Sequence, residues 1–258
     1  MERALWIAAS GMNAQQTLTD TIANNIANAN TTAYKKSEAQ FQDMLYQTVQ
    51  APGSSTSQAE IPAGQQLGTG VKTQSVSKVF TQGSLKESGG PLDFAIEGKG
   101  FFEVSRPDGS SAYTRAGNFH LDATGQVVNA QGNPIIGFPN IDTSATQVSV
   151  AKDGTVSVTV DGATQEAGRI QLVRFANPEG LKSKGNNLYT ETQASGSPTR
   201  GEPGENGYGT VSQHYLEESN VEVVKEMVDM IAAQRAYEMN SKTIKNCSQM
   251  LQMISNMQ

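Results

Sequence analysis

The chain has 258 residues, enough for one large domain or two small ones, and a net charge of -6, which disfavours nucleic acid because phosphates need a cationic footprint. Apolar residues make up 36% and mean hydropathy is -0.44, which argues for modest cores and much solvated or partner-facing surface. A single cysteine, Cys247, forbids an intrachain disulfide, and with only His120 and His214 beside it a thiolate or histidine metal cluster is excluded.

The first segment, residues 1–36, reads as a helix. It opens on MERALWIAASGMNAQQ, which has no cationic region followed by a long apolar run, and no window of the chain is apolar enough to cross a bilayer. The expectation is a cytoplasmic protein, or one exported without signal cleavage. Leu5, Met12, Thr19 and Ile26 fall seven apart, and Ala8, Ala9, Ile22 and Ala23 fill a narrow, Ala-rich stripe. Such a stripe suits helix-on-helix packing at short distance. Within it Asn24, Asn25, Asn28 and Asn30 are out of place, since Asn prefers caps and turns. Two readings stay open. The amides hydrogen-bond across helices and fix register, or they face water at a fraying helix end.

Residues 37–70 change character. APGSSTSQAEIPAGQQLGTG, from Ala51 to Gly70, is rich in Gly, Pro, Ser and Gln and has no periodicity, so it reads as an extended or long-loop segment. Residues 71–216 read as β. TVSVTV alternates at Val156, Val158 and Val160 after the Asp153-Gly154 turn signal, and RIQLVRF repeats the pattern from Ile170 to Phe175. In residues 217–258, Ser219 and Glu222 have capping-box spacing, and Asn220 is an alternative cap. Val223, Met230, Tyr237, Ile244 and Leu251 then fall seven apart, with Met227, Ala233, Cys247 and Ile254 widening the stripe. A helix from Ser219 to Ser255 would reach roughly 55 Å at 1.5 Å per residue.

The expected fold class is α+β, with amphipathic N- and C-terminal helices forming a coiled-coil-like tube domain and a central mainly-β domain. Neither helix can bury its seam alone, because isolated helices are marginal in water. Pairing within a subunit and with neighbouring subunits implies a polymer, and heterologous contacts that do not close give a helical filament.

Local patterns that suggest catalysis are weak. SVSK, Ser75 to Lys78, has acyl-enzyme spacing but lacks its companion motifs. GKG at Gly98 to Gly100 is neither a dinucleotide fingerprint nor a P-loop. Asp93 with Glu97, and Glu217 with Glu218, read as solvated surface carboxylates, His120 as a strand residue and Cys247 as a packing residue. His214, near a helix entry, is at most a weak pH handle on assembly. The methionines that crowd the last helix read as a repacking seam. The chain is expected to be no enzyme and to use no cofactor, metal or small-molecule substrate.

Four stretches carry a resemblance. IANNIANANTTAYK (Ile22 to Lys35) and SNVEVVKEMVDMIAAQRAYEMNSKTIK (Ser219 to Lys245) resemble the terminal signatures of the bacterial flagellar rod and hook proteins. IEGKGFFEV (Ile96 to Val104) and AYTRAGNFHLDATGQVVNAQG (Ala112 to Gly132) resemble their shared β segments. Within that family ALWIAASGMNAQQ, LYQTVQAPG and LGTGV are most similar to the distal-rod branch. Proximal rod proteins are the nearest alternative, and a secreted adhesion module with helical oligomerisation ends is the alternative from a different class.

The resemblance implies export by the flagellar type III apparatus and homo-polymerisation into a straight, hollow tube across the periplasm. It implies as neighbours the proximal rod proteins, the hook and hook-junction region, the rod cap protein and the surrounding bushing rings. Self-assembly would fall on Leu5, Met12, Ile22, Asn24, Asn25, Ile26 and Asn28 of the first helix. On the last helix it would fall on Val223, Met227, Met230, Tyr237, Ile244 and Leu251. The segment holding Tyr46, Gln47, Pro52, Gly53, Pro62, Gly68 and Gly70 would straighten the tube.

Overall fold

The computed structural model describes residues 2–50, 55–56, 59–60, 64–160 and 162–255. Terminal helices flank a mainly-β middle, an α+β arrangement. The chain forms two units. The first gathers Met1–Ala27, Ser37–Ser77 and Glu222–Gln258; the second gathers Asn28–Lys36 and Lys78–Val221.

The first unit holds α1 (Glu2–Ala27), α2 (Val223–Ser255) and a run of short strands. The helices pair in opposite directions. Asn25 meets Glu226 at 3.1 Å, and an added Cβ at Gly11 would lie 2.9 Å from Asn240 Nδ2, equal steps along both helices in opposite senses. A helix-interior glycine costs about 1 kcal/mol relative to alanine, and this close approach is its reason. Ala8, Ala14 and Ala233 are buried, so the contact is made by small residues, as the Ala-rich stripe predicts. Thr17, Thr19 and Thr21 turn their hydroxyls back to carbonyls four residues earlier, hiding their polar groups within α1.

Both helices are shorter than the segments read from sequence. α1 ends at Ala27, and the chain turns through Asn28 to Thr31, where the Thr31 N–H donates to the Asn28 carbonyl. Ala33 follows with φ 56°. α2 starts at Val223 rather than Ser219, because the expected capping residues are engaged elsewhere. Ser219 Oγ accepts from the Val221 N–H, and Asn220 Nδ2 donates to the carbonyls of Val79 and Thr81.

Where it is described, the segment from Ser37 to Lys78 forms paired antiparallel strands rather than an extended loop. β1 (Ser37–Asp43) pairs with β6 (Val71–Lys78), β2 (Gln47–Gln50) with β5 (Gln65–Leu67), and β3 (Ser55–Thr56) with β4 (Ala59–Glu60). β2 and β5 are exposed along their whole length. Alternating hydrophobicity marks a strand only when one face is buried, so the sequence carries no such signal here.

The second unit is built from antiparallel sheets. The largest has five strands, in the order Ile135–Ile136, Phe102–Ser105, Ser111–Thr114, Leu188–Thr190, Lys182–Gly185. TVSVTV is the central strand of a three-stranded meander, with Val156 and Val158 buried as its alternation predicts. The main core gathers Phe94, Ile96, Phe102, Val104, Ile170 and Leu172. A second cluster around Phe101, Tyr113, Phe175 and Tyr189 is held by edge-on aromatic contacts, such as Tyr113–Phe175 at 4.7 Å between centroids.

Candidate self-assembly surfaces

Within the first unit the Asn question resolves residue by residue. Asn25 is only 2% exposed. Its Nδ2 donates to the Ser37 carbonyl at 2.9 Å and to Glu226 Oε2 at 3.1 Å, and its Oδ1 accepts from the Ser37 N–H at 2.8 Å. One amide thus ties α1 to the start of β1 and to α2. Asn24 is exposed on the far side of α1, and Asn28 sits in the turn that follows it. The cross-helix reading holds for Asn25.

We expect Asn25→Ala to lower stability by about 1–3 kcal/mol, because it strands buried partners. Asn25→Asp should be worse, since it sets a second carboxylate beside Glu226. Urea unfolding followed by helical circular dichroism measures both; equal stability of the two variants would refute the ordering.

The other sequence-selected residues divide. On α1, Ile22 is buried, while Leu5, Met12 and Ile26 are half-buried. On α2, Met230 and Ile244 are half-buried, whereas Val223, Met227, Tyr237 and Leu251 are exposed. The buried row of α2 is Glu226, Ala233 and Cys247, which occupy the fourth position of the same seven-residue repeat, counting Val223 as the first.

In the hairpin segment, Tyr46 and Gln47 are exposed, and the Tyr46 ring lies 3.6 Å from where a Gly68 Cβ would stand. Gly70, at φ 126°, abuts Ser10 of α1, whose Oγ accepts from the Val71 N–H at 3.3 Å. A side chain at Gly70 would collide there and strain the backbone as well. Pro52, Gly53 and Pro62 lie outside the described residues.

The seven-residue register passes over a second apolar row on α2. Val224, Val228 and Ile231 are 72%, 60% and 57% exposed. At 3.6 residues per turn they share one face, roughly opposite the row buried against α1. Met239 and Met253 extend it. β-branched residues are indifferent helix formers, so an exposed run of them gains nothing in a lone helix. Their i, i+4, i+7 spacing was the available signal. Trp6 of α1, 76% exposed, and Leu45, Tyr46 and Val49 at the hairpin add to the uncovered apolar surface.

The second unit holds a buried charge cluster. Glu217 and Lys35 are fully buried and Arg115 nearly so. Lys35 Nζ donates to Glu217 Oε1 at 2.5 Å and to the Thr81 carbonyl at 2.6 Å. Arg115 Nε donates to Glu217 Oε2 at 2.8 Å, and its terminal nitrogens donate to the carbonyls of Ile96, Gly98 and Gly100. The Gly83 N–H also points at Glu217. Burial alone would raise the Glu217 carboxyl, but Arg115 and Lys35 more than offset it and hold the group below the ordinary carboxylate value. Lys35 is pushed down by burial and by Arg115, and pulled up by Glu217.

Glu217 is therefore not the solvated carboxylate that composition suggests, and its two cations leave it no acid-base task. Ser75 Oγ donates to Gln40 and Lys78 Nζ to the Lys35 carbonyl, so the SVSK residues are likewise engaged in structural bonds.

Among the described residues no helix is long and apolar enough to cross a membrane. Uncovered apolar rows on the helices of the first unit are the pattern of a chain that meets other chains.

Three stretches match known families: residues 5–35 match "Flagella basal body rod protein", 95–158 the "Flagellar hook protein FlgE/F/G D1 domain" and 212–257 "Flagellar basal body rod FlgEFG protein C-terminal". The flagellar basal-body rod protein FlgG of Buchnera aphidicola subsp. Acyrthosiphon pisum is 48% identical over 255 residues, 98% of each chain. That of Bacillus subtilis is 40% identical, covering 100% of this chain and 99% of its own. The rod protein FlgF of Caulobacter vibrioides is 36% identical over 97% of this chain and 95% of its own. A crystal structure of the Helicobacter pylori hook protein FlgE2 aligns at a TM-score of 0.24 and 14% identity, over 70% of this chain and 43% of that one, too loosely to place any element. End-to-end identity at this level, with family signatures on both terminal helices and on the β unit, leads to one conclusion: the chain belongs to the flagellar basal-body rod protein family.

Proposed function

We propose that the chain is a structural subunit of the flagellar distal rod, polymerising into a straight, rigid, hollow tube that carries motor torque to the hook. The observation that carries this reading is the outward face of α2, with Val224, Val228 and Ile231 presented to solvent in a single chain. In a polymer that face is covered, and α1 with α2 would form the coiled-coil-like wall of the tube. The distal assignment is supported by the higher identity to FlgG relatives than to the FlgF relative.

On this reading the neighbours along the axis are the proximal rod proteins and the hook and hook-junction region. The rod cap protein attends growth, and bushing rings surround the tube. The subunit travels through the type III export apparatus and works in the periplasm. Its role is mechanical rather than catalytic. We further propose that the hairpin β2–β5 bridges adjacent subunits and stiffens the tube. A two-stranded hairpin exposed on both faces is marginal in water and gains order from being covered.

Electron micrographs of purified protein at high concentration test both parts. Straight tubes are expected from the intact chain, and curved polymer after deletion of Gln47 to Gly68. A deletion polymer as straight as the parent would refute the stiffening role, and failure of the intact chain to form tubes would refute the filament reading.

A further inference from the structure

The second unit carries a hollow of about 220 Å³ whose lining is drawn entirely from that unit, out of residues 31–32, 114–118, 129–131 and 186–188. The turn between the strands Lys182–Gly185 and Leu188–Thr190 puts Asn186 and Asn187 at φ 52° and 55°, the left-handed pair that a tight two-residue hairpin needs. Asn187 Nδ2 donates to the Thr32 carbonyl at 2.8 Å, and Thr114 Oγ1 donates to the Asn187 carbonyl at 2.9 Å, which ties three of the walls together. On the fourth wall Asn129 Oδ1 accepts from the N–H groups of Gln131 at 3.0 Å and Asn133 at 2.9 Å. Only the amide oxygen can accept, so this turn fixes the orientation of the group and leaves Nδ2 over. Asn129 is 7% exposed, and its Nδ2 has no acceptor among the described residues. The side-chain amide of half-buried Asn118, on the same hollow, likewise has no partner among them. A buried donor without an acceptor is costly, so a partner from outside the chain would relieve it.

The chemistry of the lining narrows what that partner is. The side-chain amides of Asn118, Asn129, Gln131, Asn186 and Asn187 line the hollow beside threonine hydroxyls, and no charged residue joins them. An ion would find no countercharge there, and an apolar ligand little beyond Ala116, Ala130 and Leu188. A peptide is usually read by the main chain of a strand edge, whereas here side-chain amides make the offer. An amide sets a donor beside an acceptor, which suits neighbouring hydroxyls on a ring. The volume falls below the range of drug-sized sites and equals roughly seven waters at ~30 Å³ each, room for one ring. We infer that the hollow binds a single neutral sugar ring bearing an acetamido group. The acetamido carbonyl, the strongest uncharged acceptor on such a ring, takes the Asn129 Nδ2 hydrogen, and Asn118 pairs with a ring hydroxyl. This site is independent of the filament reading.

Titration of the full chain with N-acetylglucosamine, followed by saturation-transfer difference NMR, tests it. The parent should bind saturably, with the acetamido methyl among the protons that receive most signal. Asn129→Asp keeps the oxygen that the turn requires but sets acceptor against acceptor, and should weaken binding at least about tenfold. Asn118→Ala removes an amide with no internal partner, so it should weaken binding at least about threefold while the melting temperature stays put. Should Asn129→Asp fail to fold, Asn118→Ala decides alone. No saturable binding by the parent at concentrations on the order of 10 mM overturns the site, as does unchanged binding in Asn118→Ala or in folded Asn129→Asp. Tighter binding of N-acetylglycine methylamide, a neutral piece of main chain, would assign the hollow to peptide and overturn it as well.

Discussion

Replacing Glu217 with alanine should destabilise the β unit by about 3–5 kcal/mol, the usual cost of removing one partner from a buried charge cluster. The reason is the uncompensated charge it leaves. Lys35 and Arg115 both stay buried, and the carboxylate that neutralises them is gone. Glu217→Gln keeps the shape and part of the hydrogen bonding, so it should cost less but remain clearly destabilising. Urea unfolding of the full chain, followed in the near ultraviolet where the tyrosines of the second unit report, measures both. A loss below 1 kcal/mol for the alanine variant would contradict the cluster's role.

The same group sets an acid limit. Its folded pKa lies below the unfolded value of about 4.3, so its contribution is fully present above that value. It is lost as pH falls through the lower, folded value. The parent should lose stability steeply below about pH 4. Glu217→Gln should start lower and show a flatter acid limb.

The second large effect is expected on α2. Changing Val228 and Ile231 together to aspartate should raise the critical concentration for polymerisation on the order of a hundredfold or more, since each aliphatic side chain buried at an interface is worth about 1.5–3 kcal/mol. Because both residues are exposed in the single chain, its own unfolding should move by no more than about 0.5 kcal/mol. Sedimentation and thermal melting, run side by side, separate the two quantities. Assembly unchanged in the double variant would show that this face points to water in the polymer too, and would remove the main support for the filament reading.

Much of this was legible in the sequence because it rests on local pattern. The seven-residue seams located both helices, alternating valines located the meander, and the terminal signatures pointed to the right family. The parts that escaped have non-local causes. Glu217 is buried only because Lys35 and Arg115, far away along the chain, arrive with matching charge. α2 begins late because Asn220 is drawn to the Val79 and Thr81 carbonyls, which no capping rule can anticipate. The hairpin carries no alternation because neither of its faces is buried within the chain. Val224, Val228 and Ile231 fall outside the seven-residue seam, so the pattern that locates the helix does not mark them.

That second stripe governs more than contact. A helix that is oily on two opposite sides can shelter only one of them against a single companion. On the filament reading, the unincorporated chain keeps the other side in water until a second copy covers it, and abundance becomes the switch between dispersed and ordered matter. Growth should begin with a lag, vanish on dilution, and start at once when fragments of finished material are added as seeds.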